Sequence, residues 1–323
     1  MIDLSILIAS YEACDALEAC LESLERAILA CPDLQLEIIL VDNGSGDGSA
    51  ALAHDSSLSP RVIASIENRG FAASINRAWR LSRGRHVLLL NSDVELDAEA
   101  LSRGVEILDD SSDIGVVGAT LRHVDGRPQR SVHALPGWQT EIFPEPVLRR
   151  LRPHGFDPAE SGADESAAHD VEAVRGAVFF IRGDLAEKVG RLDEGYFFFL
   201  EETDYCRRVQ RAGFRVVQSK GIGAMHRLGE SSKSHAPLAT RIEFHRSLYR
   251  YLSRDQGILL PWTARSLRTI RSLGSLLLLA PLTAFSSDAR RRFSERSGLV
   301  LWHLRGCPAE PMLSRALQAQ TNR

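Results

Sequence analysis

The stretch LSILIASYEACDALEACLESLERAILACPDLQLEIILVDNGSGDGS, residues 4–49, decides the fold class of this 323-residue chain. Its apolar runs at 4–10 and 36–41 predict buried strands, and apolar residues recur at helical spacing over 17–28 between them. The alternation continues to residue 90, with strands predicted at 61–66 and 86–90 and a helix at 71–82. Strands that alternate with helices indicate βαβ units and a mostly parallel sheet that is buried on both faces.

The pattern breaks down between residues 121 and 170, where Pro and Gly are frequent, and we expect an insertion or a mobile loop there. Regular structure then returns, with a strand-like stretch at 171–182, a helix from Glu201 to Gly213 and a strand at 214–217. From about residue 238 the pattern is helical. We therefore predict an α/β domain over 1–237 and a helical region over 238–323.

The composition places the chain among soluble globular proteins. Hydrophobic residues make up 44% and charged residues 25%, which excludes collagen-like, coiled-coil and wholly disordered chains. The five cysteines include no CxxC pair, which argues against a disulfide framework or a structural zinc site and for a reducing compartment. The N-terminus lacks the basic lead of a signal peptide, and the longest apolar run, 273–285, is shorter than the roughly 20 residues of a spanning helix. We expect a cytoplasmic protein.

The charge is distributed unevenly along the chain. Residues 238–323 contain 14 Arg and 5 acidic residues, whereas the rest of the chain contains 25 basic and 37 acidic residues. A basic tail on an acidic body is typical of proteins with an anionic partner. Arginines flank the apolar stretches of the tail, as in a helix that lies on a membrane surface. A helical cap that packs on the first domain or on a second subunit explains the pattern nearly as well.

Polar clusters follow each of the first four predicted strands, where parallel sheets bind ligands. The clusters are Ser10-Tyr11-Glu12, Asp42-Asn43, Asn68-Arg69-Gly70 and Asn91-Ser92-Asp93. Together they suit a nucleotide, because a ring can stack on the base and a carboxylate can hold a phosphate-bound metal. Taken alone, DNGSGDGS at 42–49 is equally well an ordinary turn. It is not a phosphate loop, since no Gly-Lys-Ser/Thr follows, and Ala53 at its twelfth position excludes a calcium loop.

A second group of acidic residues lies near position 200. Glu201, Glu202 and Asp204 fall in the first turn of the predicted helix, where a carboxylate stays ionised and can act as a general base. Acidic capping of the helix is the simpler explanation when this segment is considered alone. His226, after a strand-like segment, is a candidate metal ligand, although a single histidine is more often structural.

In this order, the motifs resemble those of the inverting glycosyltransferases of family 2, and most of all the rhamnosyltransferase branch that builds bacterial surface polysaccharides. The resemblance covers about residues 1–235 and implies the GT-A fold, with a mostly parallel central sheet flanked by helices and a C-terminal helical tail. It is carried by SILIASYEACDALEACLESL at 5–24, IILVDNGSGDGS at 38–49, NRGFAASINRAW at 68–79, VLLLNSDVELD at 87–97, VRGAVFFIRGDLAEKVGRLDEGYFFFLEETDYCRRVQRAGFRVV at 174–217 and AMHRLGESS at 224–232.

The resemblance assigns roles to individual residues. Asp93, with His226 as a second ligand, implies a bound Mg²⁺ or Mn²⁺ that neutralises the leaving diphosphate. Glu202 stands where the family has its base aspartate, so we predict it as the base, with Glu201 as the alternative and Asp204 in support. The nucleotide-sugar site falls on Ser10, Tyr11, Glu12, Asp42, Asn68, Gly70, Asn76, Asn91, Ser92 and Asp93, and the acceptor side on Arg130, Trp138, Arg175, Gly176 and Ala177.

The implied reaction moves a sugar from a nucleotide-diphospho-sugar to a hydroxyl of a saccharide or lipid-linked saccharide. The family likeness favours dTDP-rhamnose as donor and leaves UDP-sugars open. It predicts an enzyme at the inner face of the cytoplasmic membrane, without a nucleic acid partner, and leaves homo-oligomers open.

Other classes of protein fit the sequence less well. A nucleotide-sugar pyrophosphorylase is expected to have a Gly-rich basic signature after the first strand, and a dinucleotide oxidoreductase needs GxGxxG there; Ser10-Tyr11-Glu12-Ala13 is neither. The remaining alternative is a non-catalytic carbohydrate- or nucleotide-binding protein of the same fold. The presence of both Asp93 and Glu202 argues against that alternative.

Overall fold

The structure, a computed structural model, describes residues 1–156, 168–227, 236–255, 257, 259–308, 312–313 and 316–317. Two sequence motifs fall partly outside the described residues, the polar stretch 159–170 up to residue 167 and AMHRLGESS from residue 228 onward.

The strands and helices follow the order expected of an α/β protein. The strands are β1 (Leu4–Ser10), β2 (Leu36–Asp42), β3 (Arg61–Ala64), β4 (His86–Asn91), β5 (Val94–Leu96), β6 (Ile114–Arg122), β7 (Pro128–Gln129), β8 (Val132–His133), β9 (Ala168–Asp170), β10 (Ala173–Val174), β11 (Val178–Arg182) and β12 (Arg215–His226). The helices are α1 (Cys14–Leu29), α2 (Ser49–His54), α3 (Phe71–Trp79), α4 (Ala100–Asp110), α5 (Trp138–Ile142), α6 (Glu145–Leu151), α7 (Leu185–Val189), α8 (Glu201–Arg211), α9 (Pro237–Asp255), α10 (Leu259–Leu279) and α11 (Ser287–Leu304).

The central sheet has the strand order β3-β2-β1-β4-β11-β6-β12-β5, with β7 paired to β6 and β9 to β12. Strands β3, β2, β1 and β4 are parallel, as are β6 and β12, whereas β11 runs antiparallel to both of its neighbours. The carboxyl ends of the first four strands therefore meet at one edge of the sheet. The predicted α/β class with a mostly parallel sheet is confirmed.

The sheet is buried on both faces, which explains why its strands are continuous apolar runs rather than alternating ones. Ile6 and Ile8 of β1 belong to one apolar cluster together with Leu24 of α1. The residue between them, Leu7, belongs to a second cluster together with Ile75 of α3. Successive side chains of a strand point to opposite faces, so β1 contributes to both clusters.

The segment 121–170, predicted as an irregular insertion, contains short regular elements over its described part. Strand β8 pairs with β10, and β7 pairs with β6. Helices α5 and α6 lie between β8 and β9 in the chain. The prolines are compatible with these elements, since Pro128 opens a strand and Pro146 lies in the first turn of α6. Elements of two to seven residues are too short to produce a hydrophobic period, and the sequence pattern therefore missed them.

The chain divides into two compact units. The first contains the sheet and its helices and comprises 1–135, 146–195 and 201–228. The second contains α9, α10 and α11 together with 136–145 and 196–200, so it draws on two segments that lie before the predicted boundary at residue 237.

Buried polar contacts explain why those two segments belong to the second unit. Arg268 of α10 donates two hydrogen bonds to the buried carboxylate of Glu141, at 2.7 and 2.9 Å, and the Ser247 hydroxyl donates to the carbonyl of Phe198 at 2.8 Å. Across the described ranges, no helix is long and apolar enough to cross a membrane.

Candidate active site

The ends of β1, β2 and β3 are joined by backbone hydrogen bonds. Ser10 stands opposite Asp42 in the parallel register. The Asn43 N–H donates to the Ser10 carbonyl at 2.8 Å, and the Ser65 N–H donates to the Asp42 carbonyl at 2.8 Å. The ladder therefore brings two of the predicted polar clusters side by side at the sheet edge.

Two buried oxygen atoms at this edge lack a hydrogen-bond partner within the described part of the chain. They are Ser10 Oγ and Asp42 Oδ1. Asp42 is only 2% exposed, and its other oxygen accepts from the Ser45 N–H at 3.1 Å. An unpaired buried acceptor costs about 1–3 kcal/mol, so a pair of them at one point indicates a place for a ligand that donates hydrogen bonds.

A pair of buried asparagines holds the loop after β3 against the loop after β2. Asn43 Nδ2 donates to Asn68 Oδ1 at 2.8 Å, and the same oxygen accepts from the Gly70 N–H at 2.9 Å. Gly70 has a φ of 88°, in the region where glycine is favoured. These hydrogen bonds fix Asn68 and Gly70 in place at the predicted nucleotide site. Asn43, which had no assigned role, holds Asn68 in its orientation.

Glu12 and Asn76 have structural roles that differ from the predicted contacts with a nucleotide. The Glu12 carboxylate accepts from the Gly46 N–H at 2.7 Å and so supports the glycine-rich turn, while Tyr11 beside it is half-buried. Asn76 Nδ2 donates to the Leu192 carbonyl at 2.8 Å, and Asn76 Oδ1 accepts from the Leu192 N–H at 3.1 Å. Both ends of the Asn76 amide are used within the fold, and its assignment to the nucleotide pocket stays a prediction.

The register of two strands brings the predicted metal ligands together. Strands β5 and β12 are antiparallel with Val94 opposite His226, and the Arg227 N–H donates to the Asp93 carbonyl at 3.0 Å. As a result, Asp93 Oδ1 lies 3.3 Å from His226 Nε2.

Asp93 and His226 fit a divalent cation that has further ligands from outside the protein. Adjacent ligands of an octahedral ion with bonds of about 2.1 Å are about 3 Å apart, close to the observed spacing. Within the described residues, no group of three or more His, Cys, Asp or Glu side chains is placed to hold a metal. Diphosphate oxygens and water would therefore have to complete the coordination.

Glu202 lies in the first turn of α8 beside Gly176 and Arg175. A Cβ atom at Gly176 would lie 3.3 Å from the Glu202 Cβ and Cγ, so the glycine makes room for this side chain. Burial raises the pKa of the Glu202 carboxyl, while the Arg175 charge and hydrogen bonds from Thr203 act in the opposite direction. A carboxyl with a raised pKa beside a glycine and a cation is a good candidate for a general base.

A half-buried histidine, His133, adjoins this carboxylate and was not predicted. Its Nε2 lies 2.8 Å from Thr203 Oγ1, and the Thr203 hydroxyl donates a long hydrogen bond of 3.4 Å to Glu202 Oε1. Burial and the charges of Arg175 and Arg130 lower the pKa of His133 to about 4, so the ring is neutral at physiological pH. No sequence pattern marks this residue, because the two-residue strand β8 is too short to produce a hydrophobic period.

The other two acidic residues of α8 are buried, and Asp204 has an identified structural role. Asp204 Oδ2 accepts from Arg208 Nε at 2.8 Å, and Arg208 also donates to the carbonyl of Arg191 at 2.8 Å. Asp204 therefore anchors the loop before the helix through Arg208, and its supporting role for the base stays a prediction. Glu201 is buried and makes contacts of its own within the fold.

The predicted acceptor-side residues divide into three groups. Arg175 and Gly176 adjoin Glu202, as described above. Ala177 is fully buried, and its carbonyl accepts from the Asn91 N–H at 3.0 Å, so it positions the 91–93 turn, in which Ser92 is buried. Arg130 is exposed and stacks over the Phe156 ring. Trp138 belongs to the second unit and is partly exposed.

Comparison with known sequences finds a family model that matches about the first half of the chain and relatives that match most of its length. A sequence model described as Glycosyl transferase family 2 matches residues 5–163. The N-acetylglucosaminyl-diphospho-decaprenol L-rhamnosyltransferase of Mycobacterium tuberculosis is 25% identical over 311 residues, which cover 90% of this chain and 95% of that protein. The low-salt glycan biosynthesis hexosyltransferase Agl10 of Haloferax volcanii is 25% identical over 229 residues, which cover 69% of this chain and 67% of that protein.

A solved structure supports the fold. The mannosyltransferase PcManGT from Pyrobaculum calidifontis, in complex with GDP-Man and Mn²⁺, matches with a TM-score of 0.57 and 16% sequence identity. The match covers 93% of this chain and 86% of that one. The predicted resemblance is confirmed: residues 5–163 match glycosyltransferase family 2, and the chain has the GT-A fold and a likeness to rhamnosyltransferases.

Proposed function

We propose that this protein is an inverting, metal-dependent rhamnosyltransferase that acts on a lipid-linked saccharide. One observation carries the proposal: the Asn91 N–H donates to the Ala177 carbonyl, which ties the turn that ends in Asp93 to the segment beside Glu202. The residues suited to the leaving diphosphate and the residue suited to deprotonate an acceptor are thereby connected through one short stretch of backbone.

The donor is dTDP-rhamnose in this proposal, with a UDP-sugar as the alternative. Both nucleotides have a pyrimidine imide N–H, which is the type of donor required by Asp42 Oδ1, an atom without a partner among the described residues. The relative from M. tuberculosis is named as an L-rhamnosyltransferase, which favours rhamnose, and its acceptor is named as a diphospho-decaprenol-linked sugar.

Asp93 and His226 would hold the Mg²⁺ or Mn²⁺ ion against the donor diphosphate. When bound, the ion would neutralise negative charge on the departing nucleoside diphosphate. The structural relative that contains GDP-Man and Mn²⁺ supports a divalent metal for the fold. A carboxylate and an imidazole are compatible with both ions, and the imidazole favours Mn²⁺.

Glu202 takes the proton of the acceptor hydroxyl in the proposed reaction. The hydroxyl oxygen forms a bond to the anomeric carbon as the bond from that carbon to the phosphate oxygen breaks, so the configuration inverts. The nucleoside diphosphate leaves with the bonding electron pair, and the proton moves to the carboxylate. Arg175 and Thr203 help to keep Glu202 ionised, and Gly176 leaves the space that its side chain needs.

The test is replacement of the base by its isosteric amide. Glu202→Gln should lower transfer at least about 100-fold, because a general base contributes about 10²–10⁴-fold, while dTDP still binds. Release of nucleoside diphosphate measures activity across a panel of nucleotide-sugars with Mg²⁺ or Mn²⁺, and calorimetry measures binding.

The neighbouring Glu201→Gln variant is the matched control and should remain active. Inactivity of Glu201→Gln with an active Glu202→Gln would assign the base to Glu201. Wild-type protein that neither hydrolyses nor binds any nucleotide-sugar would refute the transferase proposal.

The second unit would hold the enzyme at an anionic membrane surface, where a lipid-linked acceptor resides. Large apolar side chains at the end of α10 and in the turn after it are exposed, with Leu277 at 78%, Leu278 at 76% and Phe285 at 90%. Three consecutive arginines, 290–292, follow within the first two turns of α11. Exposed apolar groups beside a cationic run are the features of an interfacial membrane-binding surface.

Vesicle sedimentation tests this placement. The double variant Leu277→Ser/Phe285→Ser should lose binding to phosphatidylglycerol vesicles, whereas Leu29→Ser, which alters an equally exposed leucine of α1, should not. Wild-type protein should bind phosphatidylcholine vesicles more weakly, because they lack negative charge. If the double variant instead keeps vesicle binding and converts a dimer to a monomer, the surface covers a second copy of the chain.

A further inference from the structure

A buried glutamine, Gln129, contacts His226 through both ends of its side-chain amide. Gln129 is the last residue of β7, which pairs with the last two residues of β6. Its Nε2 donates to the main-chain carbonyl of His226 at 3.2 Å. Its Oε1 lies 2.8 Å from His226 Nδ1. Gln129 has no place among the residues that the reaction proposed above uses.

The contact with the carbonyl determines which way the amide points. A main-chain carbonyl only accepts hydrogen bonds, so the amide nitrogen of Gln129 must face it and the amide oxygen must face His226 Nδ1. The amide oxygen also only accepts, so Nδ1 must carry the proton. In the neutral imidazole, Nε2 is then the unprotonated nitrogen with a lone pair.

The lone pair of Nε2 lies toward a second acceptor. His226 Nε2 is 3.3 Å from Asp93 Oδ1, and the strand pairing around Val94 fixes this approach in the backbone. Two acceptors at this distance repel one another unless a proton or a metal cation lies between them. A divalent ion satisfies both atoms, and metal-bound histidines generally donate their other ring N–H to an oxygen in this way.

We infer that Gln129 is a positioning residue that holds His226 in the Nδ1–H tautomer and so presents Nε2 to a divalent cation together with Asp93. This inference rests on the metal dependence in the proposed function. It adds a role for a residue outside the ligand pair, because Gln129 selects the tautomer of His226 that can bind a metal.

The experiment compares Gln129→Met with wild type. Methionine is similar in length and volume and lacks the acceptor, so the ring is released while the space stays filled. Mn²⁺ is titrated into the full chain with saturating dTDP, and in parallel with UDP, and bound Mn²⁺ is followed by electron paramagnetic resonance. The expected result is an affinity for Mn²⁺ about 10- to 100-fold lower in the variant, the usual effect of losing such a partner.

Gln210→Met is the matched control. Gln210 Nε2 also donates to main-chain carbonyls, of Val171 and Glu172, at 3.0 and 3.1 Å. Both variants lose anchored amide hydrogen bonds and some stability, but only Gln129→Met should lose Mn²⁺ affinity. Gln129→Glu keeps an acceptor for Nδ1–H and should bind Mn²⁺ more tightly than Gln129→Met.

Nitrogen NMR of histidine-labelled protein without metal gives a second readout, since it distinguishes the two tautomers. The Nδ1–H form of His226 in wild type, lost in Gln129→Met, supports the inference. An Nε2–H form in wild type, or unchanged Mn²⁺ affinity in Gln129→Met, overturns it. If wild type binds nucleotide but no Mn²⁺, the metal site itself is refuted and this inference with it, whereas the transferase proposal then depends on the Glu202 test.

Discussion

Replacing Asp42 by asparagine should change which nucleobase the protein prefers. Asp42 Oδ2 accepts from the Ser45 N–H, so the asparagine must turn its oxygen toward Ser45 to keep that bond. Its NH₂ group then takes the position of Oδ1, the buried atom without a partner in the described structure. An acceptor becomes a donor at the point where we expect the pyrimidine imide N–H to bind.

The size of the effect follows from the hydrogen bond that is lost. A hydrogen bond to a charged group contributes about 1.5–3 kcal/mol, and each 1.4 kcal/mol is a factor of ten in affinity. The dissociation constants of UDP and dTDP should therefore rise about 10- to 150-fold in Asp42→Asn. CDP has an unprotonated N3 that accepts from the new NH₂ group, so its affinity should increase relative to wild type.

Calorimetry with UDP, dTDP and CDP measures this selectivity. Asp47→Asn is the matched control from the same turn, because both oxygens of Asp47 accept from backbone N–H groups, those of Cys14 and Ser49. It should lower stability without changing the ratio of UDP to CDP affinity. The reasoning is refuted if Asp42→Asn weakens all three nucleotides by one factor, or if it leaves UDP and dTDP binding unchanged.

Three further predictions concern the pKa of the base, the space that Gly176 leaves for its side chain, and the stability of the second unit. Burial raises the pKa of Glu202 and the Arg175 charge lowers it, so Arg175→Met should raise that pKa further. Because the base must be ionised, the acid limb of the kcat–pH profile should then move to higher pH. An acid limb that does not move would count against Glu202. Gly176→Ala places a methyl group 3.3 Å from the Glu202 side chain and should lower kcat without changing dTDP affinity, so an equal loss of both would contradict the assignment. Arg268→Met leaves the buried Glu141 without its charged partner and should lower the free energy of unfolding by about 3 kcal/mol in a denaturant titration, whereas a change below about 1 kcal/mol would show that water replaces the arginine.

The strands were predictable because burial on both faces leaves a local signature. The apolar run at 4–10 coincides with β1, and the run at 36–41 differs from β2 by one residue. The general position of the site was predictable for the same reason, since parallel strands place the polar residues that follow them at one edge. A helix start at Glu201 was equally visible, because the acidic residues of its first turn are adjacent in sequence.

The hydrogen-bond partners of individual polar side chains could not be predicted in this way. Asn76 and Glu12 have the residue types of a nucleotide site, but contacts with Leu192 use both ends of the Asn76 amide and a contact with Gly46 uses one oxygen of the Glu12 carboxylate. Gln129 lies in a two-residue strand without periodicity, and nothing near it in sequence indicates a histidine 97 positions later as its partner.

Burial of apolar side chains is a sum over many local residues, and composition along a short window therefore reveals where strands and helices form. A hydrogen bond between two polar side chains depends on a few tenths of an ångström between segments far apart in the chain. The 3.3 Å approach of Asp93 to His226 exists only because β5 and β12 pair in one register, and a shift of one residue would turn these side chains to opposite faces. The longer elements and the edge of the sheet that carries the site thus follow from local sequence, whereas the metal pair and its supporting glutamine follow from strand register.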